Sequence, residues 1–117
     1  MRKDAAARAA MLNEADAVVL CLPDDAAKEA VKLVANDRTI IIDASTAYRV
    51  DPQWVYGFAE MADGHRVMLQ RSKRISNPGC YPTGFIGLTA PLVGAGLIPA
   101  TAPITVNAVS GYTGGGK

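Results

Sequence analysis

The stretch "NPGCYPTG", Asn77–Gly84, holds the residue best suited to do chemistry. Cys80 follows the turn formers Pro78 and Gly79 and precedes Pro82 and a run with helical spacing. Proline is favoured in the first turn of a helix, where its missing N–H costs nothing. That puts the thiol in the turn entering a helix, near the positive end of the helix dipole, where a nucleophilic thiolate is favoured. Gly79 and Gly84 on either side let a substrate and backbone amides approach closely. The competing reading is a buried structural cysteine, the common fate of an unpaired one.

A second cluster lies in "DASTAYR", where Asp43 closes an apolar run, Ser45 and Thr46 offer hydroxyls and Arg49 carries a guanidinium. Such a group suits bidentate capture of phosphate or carboxylate, unless it is an ordinary surface arginine. His65, in the polar turn "MADGHRV", is expected to be exposed rather than to serve Cys80 as a base. Cys21 sits inside an apolar run and is expected to be structural. The terminal "SGYTGGGK" fits most of a phosphate-binding GxxxxGK loop. That loop needs a following Ser or Thr, a helix and a downstream acid for magnesium. None of these stands before Lys117, so the match is weak.

The elements that must position these groups follow from periodicity. Residues 3–14 are Ala-rich, with Arg8, Met11 and Leu12 at helical spacing. "ADAVVLCLP" (Ala15–Pro23) reads as a strand buried on both faces. In "DDAAKEAVKLVAND", Asp24 or Asp25 is expected to cap a helix whose Ala27, Ala30, Val31 and Val34 share one face. "RTIIIDAS" (Arg38–Ser45) is a second buried strand. A loop around Asp51, Pro52 and Gly57 leads to "HRVMLQRSKRISNPG", expected to carry a third. Thr83–Leu97 is helical in spacing with a kink at Pro91, and "APITVNAVSGY" reads as a last β-rich piece. Strand, helix, strand in this order means a parallel sheet flanked by helices, an α/β fold whose ligands bind beyond the carboxyl ends of the strands. Those ends are Leu22–Pro23, Asp43–Ser45 and Asn77–Cys80. The first 56 residues hold no glycine, so no GxGxxG loop precedes the second helix.

At 117 residues the chain has room for one modest core. Twelve basic against eleven acidic residues leave a net charge of +1, no footprint for nucleic acid or an anionic membrane. Between Ile75 and Gly116 there is no charged residue or histidine. Pro91, Pro99 and Pro103 break that stretch well short of the roughly 20 apolar residues of a membrane span, and a core or interface segment is expected. The amino terminus lacks the apolar region of a secretory signal. Two cysteines in unlike settings suggest no disulfide framework, and a reducing cytoplasmic home.

Taken in order, "LCLPDDAAKEAV", "IIDASTAYRV", "YGFAE", "ISNPGCYPTGFIGL" and "VSGYTGGGK" resemble the short bacterial N-acetyl-γ-glutamyl-phosphate reductases of the semialdehyde dehydrogenase group, over nearly the whole chain. The resemblance implies a partial Rossmann-like, doubly wound sheet over residues 1–79 and the start of an α+β catalytic and dimerisation domain over 80–117. It implies an NADP-dependent reduction of a small-molecule acyl phosphate in arginine biosynthesis. Cys80 would be the nucleophile and Arg49 would bind the substrate phosphate. Leu22, Pro23 and Ser45 would border the nicotinamide, and Ser110 and Gly111 would touch the cofactor. The family works as a homo-oligomer, dimer or tetramer. Its first strand and glycine loop are expected before Met1 and its catalytic histidine after Lys117, so the chain reads as an internal fragment, inactive alone and prone to self-association. A sister enzyme such as aspartate-semialdehyde dehydrogenase, a truncated nucleotide-binding loop and a non-catalytic remnant are the alternatives.

Overall fold

A computed structural model describes residues 4–112. The chain divides into two compact units, Met1–Gly79 and Cys80–Lys117. The first holds α1 (Ala5–Glu14), β1 (Ala17–Leu20), α2 (Asp24–Lys32), β2 (Ile40–Asp43), β3 (Val55–Tyr56), α3 (His65–Arg71) and β4 (Arg74–Ser76). The four strands form one parallel sheet in the order β1-β2-β4-β3. The fold is the expected α/β class.

The core is small and sits on one face. In β1 and β2 the register opposes Val18 to Ile41 and Leu20 to Asp43. Leu20, Ile41 and Ala30 of α2 form the buried cluster, with Leu12, Val18, Val31, Val34 and Trp54 packed against it. Burial is what makes α2 a helix in this place, since Ala27 and Ala30 are its small residues turned inward. Asp4 caps α1, its Oδ1 accepting from the Ala6 and Ala7 amides at 3.0 and 3.1 Å.

Polar groups tie the carboxyl ends of α1 and α2 to the amino end of β2. Asn13 Nδ2 donates to the carbonyls of Ala9 and Leu33, both at 2.8 Å, while its Oδ1 accepts from Ala35 N and Asn36 Nδ2. Asn36 Oδ1 accepts from the amides of Arg38 and Thr39 at the entry to β2. Thr39, fully buried, donates its hydroxyl to Ala15 O at 2.9 Å. One asparagine thus joins the end of α1 to the end of α2.

Five expectations need correction. The run Ala15–Pro23 is not buried on both faces: among the described residues β1 pairs with β2 alone, and Val19 is 63% exposed. Cys21, just past it, is exposed rather than structural. The helix α2 takes Pro23 as its N-cap, without a side-chain cap, because the Asp24 carboxylate is engaged elsewhere. The segment from His65 begins as a helix, and only Arg74–Ser76 is strand, with two-residue β3 hidden in the preceding loop. Residues 102–112 contain no strand among the described residues, for the second unit offers no ladder to pair with.

In the second unit, α4 (Cys80–Gly94) carries Pro91 inside it. It ends in a left-handed Gly96, φ 70°, with Leu97 N–H bonded to Leu92 O and Gly96 N–H to Val93 O. This paired closure satisfies the last carbonyls of the helix. No helix among the described residues is long and apolar enough to cross a membrane.

Asn13→Ala is expected to lower stability by about 2 kcal/mol, because it strands several part-buried backbone groups. Urea unfolding of the variant against Asn13→Asp measures it.

Candidate functional site at the carboxyl ends of the strands

In a parallel sheet the chain leaves every strand at the same end. Here β1 exits into Cys21–Pro23, β2 into Ala44–Ser45, β3 into Gly57 and β4 into Asn77–Gly79. Asp43, the last residue of β2, is fully buried between Leu20 and Ser76 in register. Its Oδ2 accepts from Ser45 Oγ at 2.6 Å, and its main-chain carbonyl accepts from Asn77 N at 2.7 Å. Ser45 Oγ in turn accepts from Ala47 N at 3.1 Å. The same residue therefore shapes the loop after β2 and anchors the loop after β4.

The loops after β1 and β2 are joined as well. Asp24 Oδ1 accepts from Thr46 N at 2.9 Å, and Oδ2 accepts from the Thr46 hydroxyl. These bonds from Thr46 hold the Asp24 carboxyl below its ordinary range, with a smaller contribution from Lys28. Leu22 and Pro23 line an open, largely apolar cavity of about 650 Å³ together with Leu12, Leu20, Ala26 and Ala30. Arg8 and Met11 complete its wall.

The remaining expected residues fall as follows. Ser45 is 8% exposed and lies beside Asp43 rather than in the lining of the cavity. Arg49, half-buried, donates to Ala44 O at 3.4 Å while its Nε is buried with no partner. It is turned to its own loop, and the bond to Ala44 uses one of its five N–H donors. Tyr48 stacks on Trp54 with centroids 4.0 Å apart, and burial, reinforced by Asp43 and Asp51, pushes its phenol up. His65 is not in an exposed turn: it is buried at the start of α3, and its Nε2 hydrogen-bonds the Tyr56 carbonyl. The imidazole holds β3, which explains why a polar-looking turn keeps it inside.

In the second unit Cys80 is the first residue of α4 and is exposed. Tyr81, next to it, hydrogen-bonds Ser110 through the two hydroxyls. Gly111 has open space around it, and Thr113–Lys117 of the glycine-rich ending lie outside the described residues.

Three residues of this region were not singled out from the sequence for the parts they play. Asp24 has no local signal, since Thr46 is far along the chain. Asp43 carries one: an Asp two residues before a Ser at a strand end is the pattern of a side-chain-stabilised turn. Gly57 lies where a Cβ would meet Pro78 Cδ and Ser76 O, both at 3.1 Å. Only a glycine lets β3 approach the turn before Cys80 so closely.

A cofactor can be weighed against these residues. Leu22 and Pro23 offer an apolar wall that suits a flat ring, whereas Ser45 and Arg49 lie outside that lining, Ser45 with its hydroxyl on Asp43.

Residues 2–67 match the semialdehyde dehydrogenase NAD-binding domain, and residues 80–117 match the dimerisation domain of the same family. The chain belongs to the semialdehyde dehydrogenase family. Among its relatives, the N-acetyl-gamma-glutamyl-phosphate reductase of Chelativorans sp. (strain BNC1) is 58% identical over 99% of the chain and 37% of the relative. The protein of that name in Rhizobium leguminosarum bv. trifolii (strain WSM2304) is 59% identical over 99% of the chain and 38% of the relative. N-acetyl-gamma-glutamyl-phosphate reductase 2 of Nostoc sp. is 57% identical over 99% of the chain and 36% of the relative. The chain thus spans little more than a third of the length of the curated relatives it matches. No solved structure matches it. The glycine-rich ending, Gly111–Lys117, falls within the dimerisation-domain match.

Two outcomes test the geometry. Gly57→Ala is expected to cost about 1–3 kcal/mol, the range for overpacking, because Ser76 O is backbone and Pro78 is ring-locked; thermal unfolding reads it. Thr46→Val removes the hydroxyl but keeps the Thr46 N–H on Asp24, so the Asp24 titration is expected to move upward, part of the way to the ordinary carboxylate range. The folded-state value is depressed, so Asp24 adds stability above that range and loses it as pH falls through the folded value. Carboxyl NMR across acid pH follows both variant and wild type.

Proposed function

We propose that this chain is the central part of an enzyme that reduces N-acetyl-L-glutamyl 5-phosphate to N-acetyl-L-glutamate 5-semialdehyde with NADPH, in the cytoplasmic synthesis of arginine. The observation that carries the reading is Cys80, exposed at the first residue of α4. It sits within "NPGCYPTG" in a chain 56–59% identical to proteins bearing the reductase name. The two family matches, one on each side of that cysteine, support it.

In this reading the Cys80 thiolate attacks the acyl carbon, the C–O bond to phosphate breaks, and inorganic phosphate leaves with the electron pair. The product is a thioester, which a cysteine forms more readily and releases more easily than an oxygen nucleophile would. Arg49 receives the substrate phosphate with the donors it keeps unpaired. Leu22, Pro23 and Ser45 border the nicotinamide, and Ser110 and Gly111 touch the cofactor. Bound NADPH supplies a hydride to the thioester carbon. Cys80 then departs as thiolate from the hemithioacetal, and the semialdehyde is released. The substrate is a small molecule, nucleic acid and membrane have no part, and the whole enzyme is a homo-oligomer built through the second unit.

The 117-residue chain alone is expected to turn over no substrate. Its Cys80 is nevertheless expected to be alkylated by iodoacetamide faster than Cys21, which is also exposed and lies at no helix start. Peptide mass spectrometry over a time course compares the two. Equal rates, or NADPH-dependent reduction by the isolated chain, would contradict the proposal.

A further inference from the structure

The row of residues where the strands end carries more polar atoms than it has protein partners for. In register, Leu20 of β1, Asp43 of β2, Ser76 of β4 and Tyr56 of β3 stand side by side, so they project from one face of the sheet. Asp43 and Ser76 are fully buried. Asp43 Oδ2 accepts from Ser45 Oγ at 2.6 Å, but its Oδ1 hydrogen-bonds no protein group, and neither does Ser76 Oγ. The hydroxyl of Tyr56, the neighbour of Ser76 on the other side, is buried in the same way. Buried polar atoms, carboxylate oxygens above all, are costly without a hydrogen bond, and ordered water is a common source of one.

We infer that a buried water molecule binds between Asp43 Oδ1 and Ser76 Oγ and bridges the ends of β2 and β4. The chemistry of the pair selects this ligand. A carboxylate oxygen only accepts, so the bound molecule must donate to it, while the Ser76 hydroxyl can give or take a proton. Adjacent strands lie ~4.8 Å apart, and two hydrogen bonds of ~2.8 Å that meet at one oxygen bridge such a gap. A metal ion is the poorer occupant. The described residues bring no group of three His, Cys, Asp or Glu side chains together. One carboxylate and one hydroxyl fall well short of the ~6–8 oxygens of a calcium site. The bridge acts on the turn that follows. Asn77, next after Ser76, donates its amide to the Asp43 carbonyl at 2.7 Å. Main chain and water thus tie the same two strands at neighbouring points, where β4 leaves the sheet for Pro78, Gly79 and Cys80.

A crystal structure of the 117-residue chain, at a resolution that shows ordered water, tests the site directly. One solvent peak within hydrogen-bond reach of both Asp43 Oδ1 and Ser76 Oγ is expected. A direct bond between those two atoms, a gap with no peak, or a peak with the short, many-oxygen coordination of a cation overturns the inference, and this arm needs no variant to fold. In solution, oxygen-17 relaxation dispersion counts long-lived waters. Ser76→Ala is expected to hold one fewer than the wild type, and its Asn77 amide is expected to exchange about fivefold faster, the worth of one hydrogen bond. An unchanged water count overturns the site, and a lost water with unchanged Asn77 exchange overturns its hold on the turn.

Discussion

Everything at the working end of the sheet depends on how β2 ends. A central parallel strand has neighbours on both sides, so its last residue must serve two loops at once. Asp43 does so with two different parts of itself, the carboxylate toward Ser45 and the main-chain carbonyl toward Asn77. Burying a carboxylate is costly unless its oxygens are satisfied. That cost is what makes the arrangement specific: one oxygen has a hydroxyl in place, and the loop after β2 cannot relax without stranding it. The second oxygen is buried without a partner, as is the Ser76 hydroxyl opposite it in register. The row across the strand ends is therefore polar and under-satisfied beneath a mostly apolar core.

The loops after β1 and β2 are joined by a separate carboxylate. Asp24 lies in the first turn of α2, where a negative charge is favoured by the helix dipole. It spends its hydrogen-bonding capacity on Thr46 instead of capping its own helix. The exit from β1 and the exit from β2 are thus tied to each other by two hydrogen bonds.

Much of this was legible from the residues and some was not. The α/β class followed from two apolar runs separated by an amphipathic helix, and the resemblance over "IIDASTAYRV" and "NPGCYPTG" brought the family. The burial expected of β1 is not seen, because an apolar run looks the same whether one strand or two pair with it; among the described residues β1 pairs with β2 alone, and Val19 is exposed. The helix from His65 was hidden by its shortness and by exposed Val67 and Met68, which blur the helical period. His65 itself has a polar neighbourhood in sequence and a buried one in space, since its partner is the carbonyl of Tyr56 in a strand of two residues. The β-rich composition of residues 102–112 expresses a preference that needs a partner strand to be realised. The roles of Asp24 and Gly57 are long-range, and no window along the chain contains both members of either contact.

The knot around Asn13 and the network around Asp43 occupy opposite ends of the same strands. From Thr39 to Asp43 the chain advances about 13 Å at ~3.3 Å per residue, which exceeds the ~7–10 Å over which substitutions usually couple. Changes in the amino-end knot and changes at the carboxyl end should therefore add in free energy. The molecule can be made firmer or looser from one end with the chemistry at the other left alone. Sequence drift among Asn13, Asn36 and Arg38 then tunes how long the protein lasts, and drift among Asp43, Ser45 and Asn77 reshapes the loops after β2 and β4.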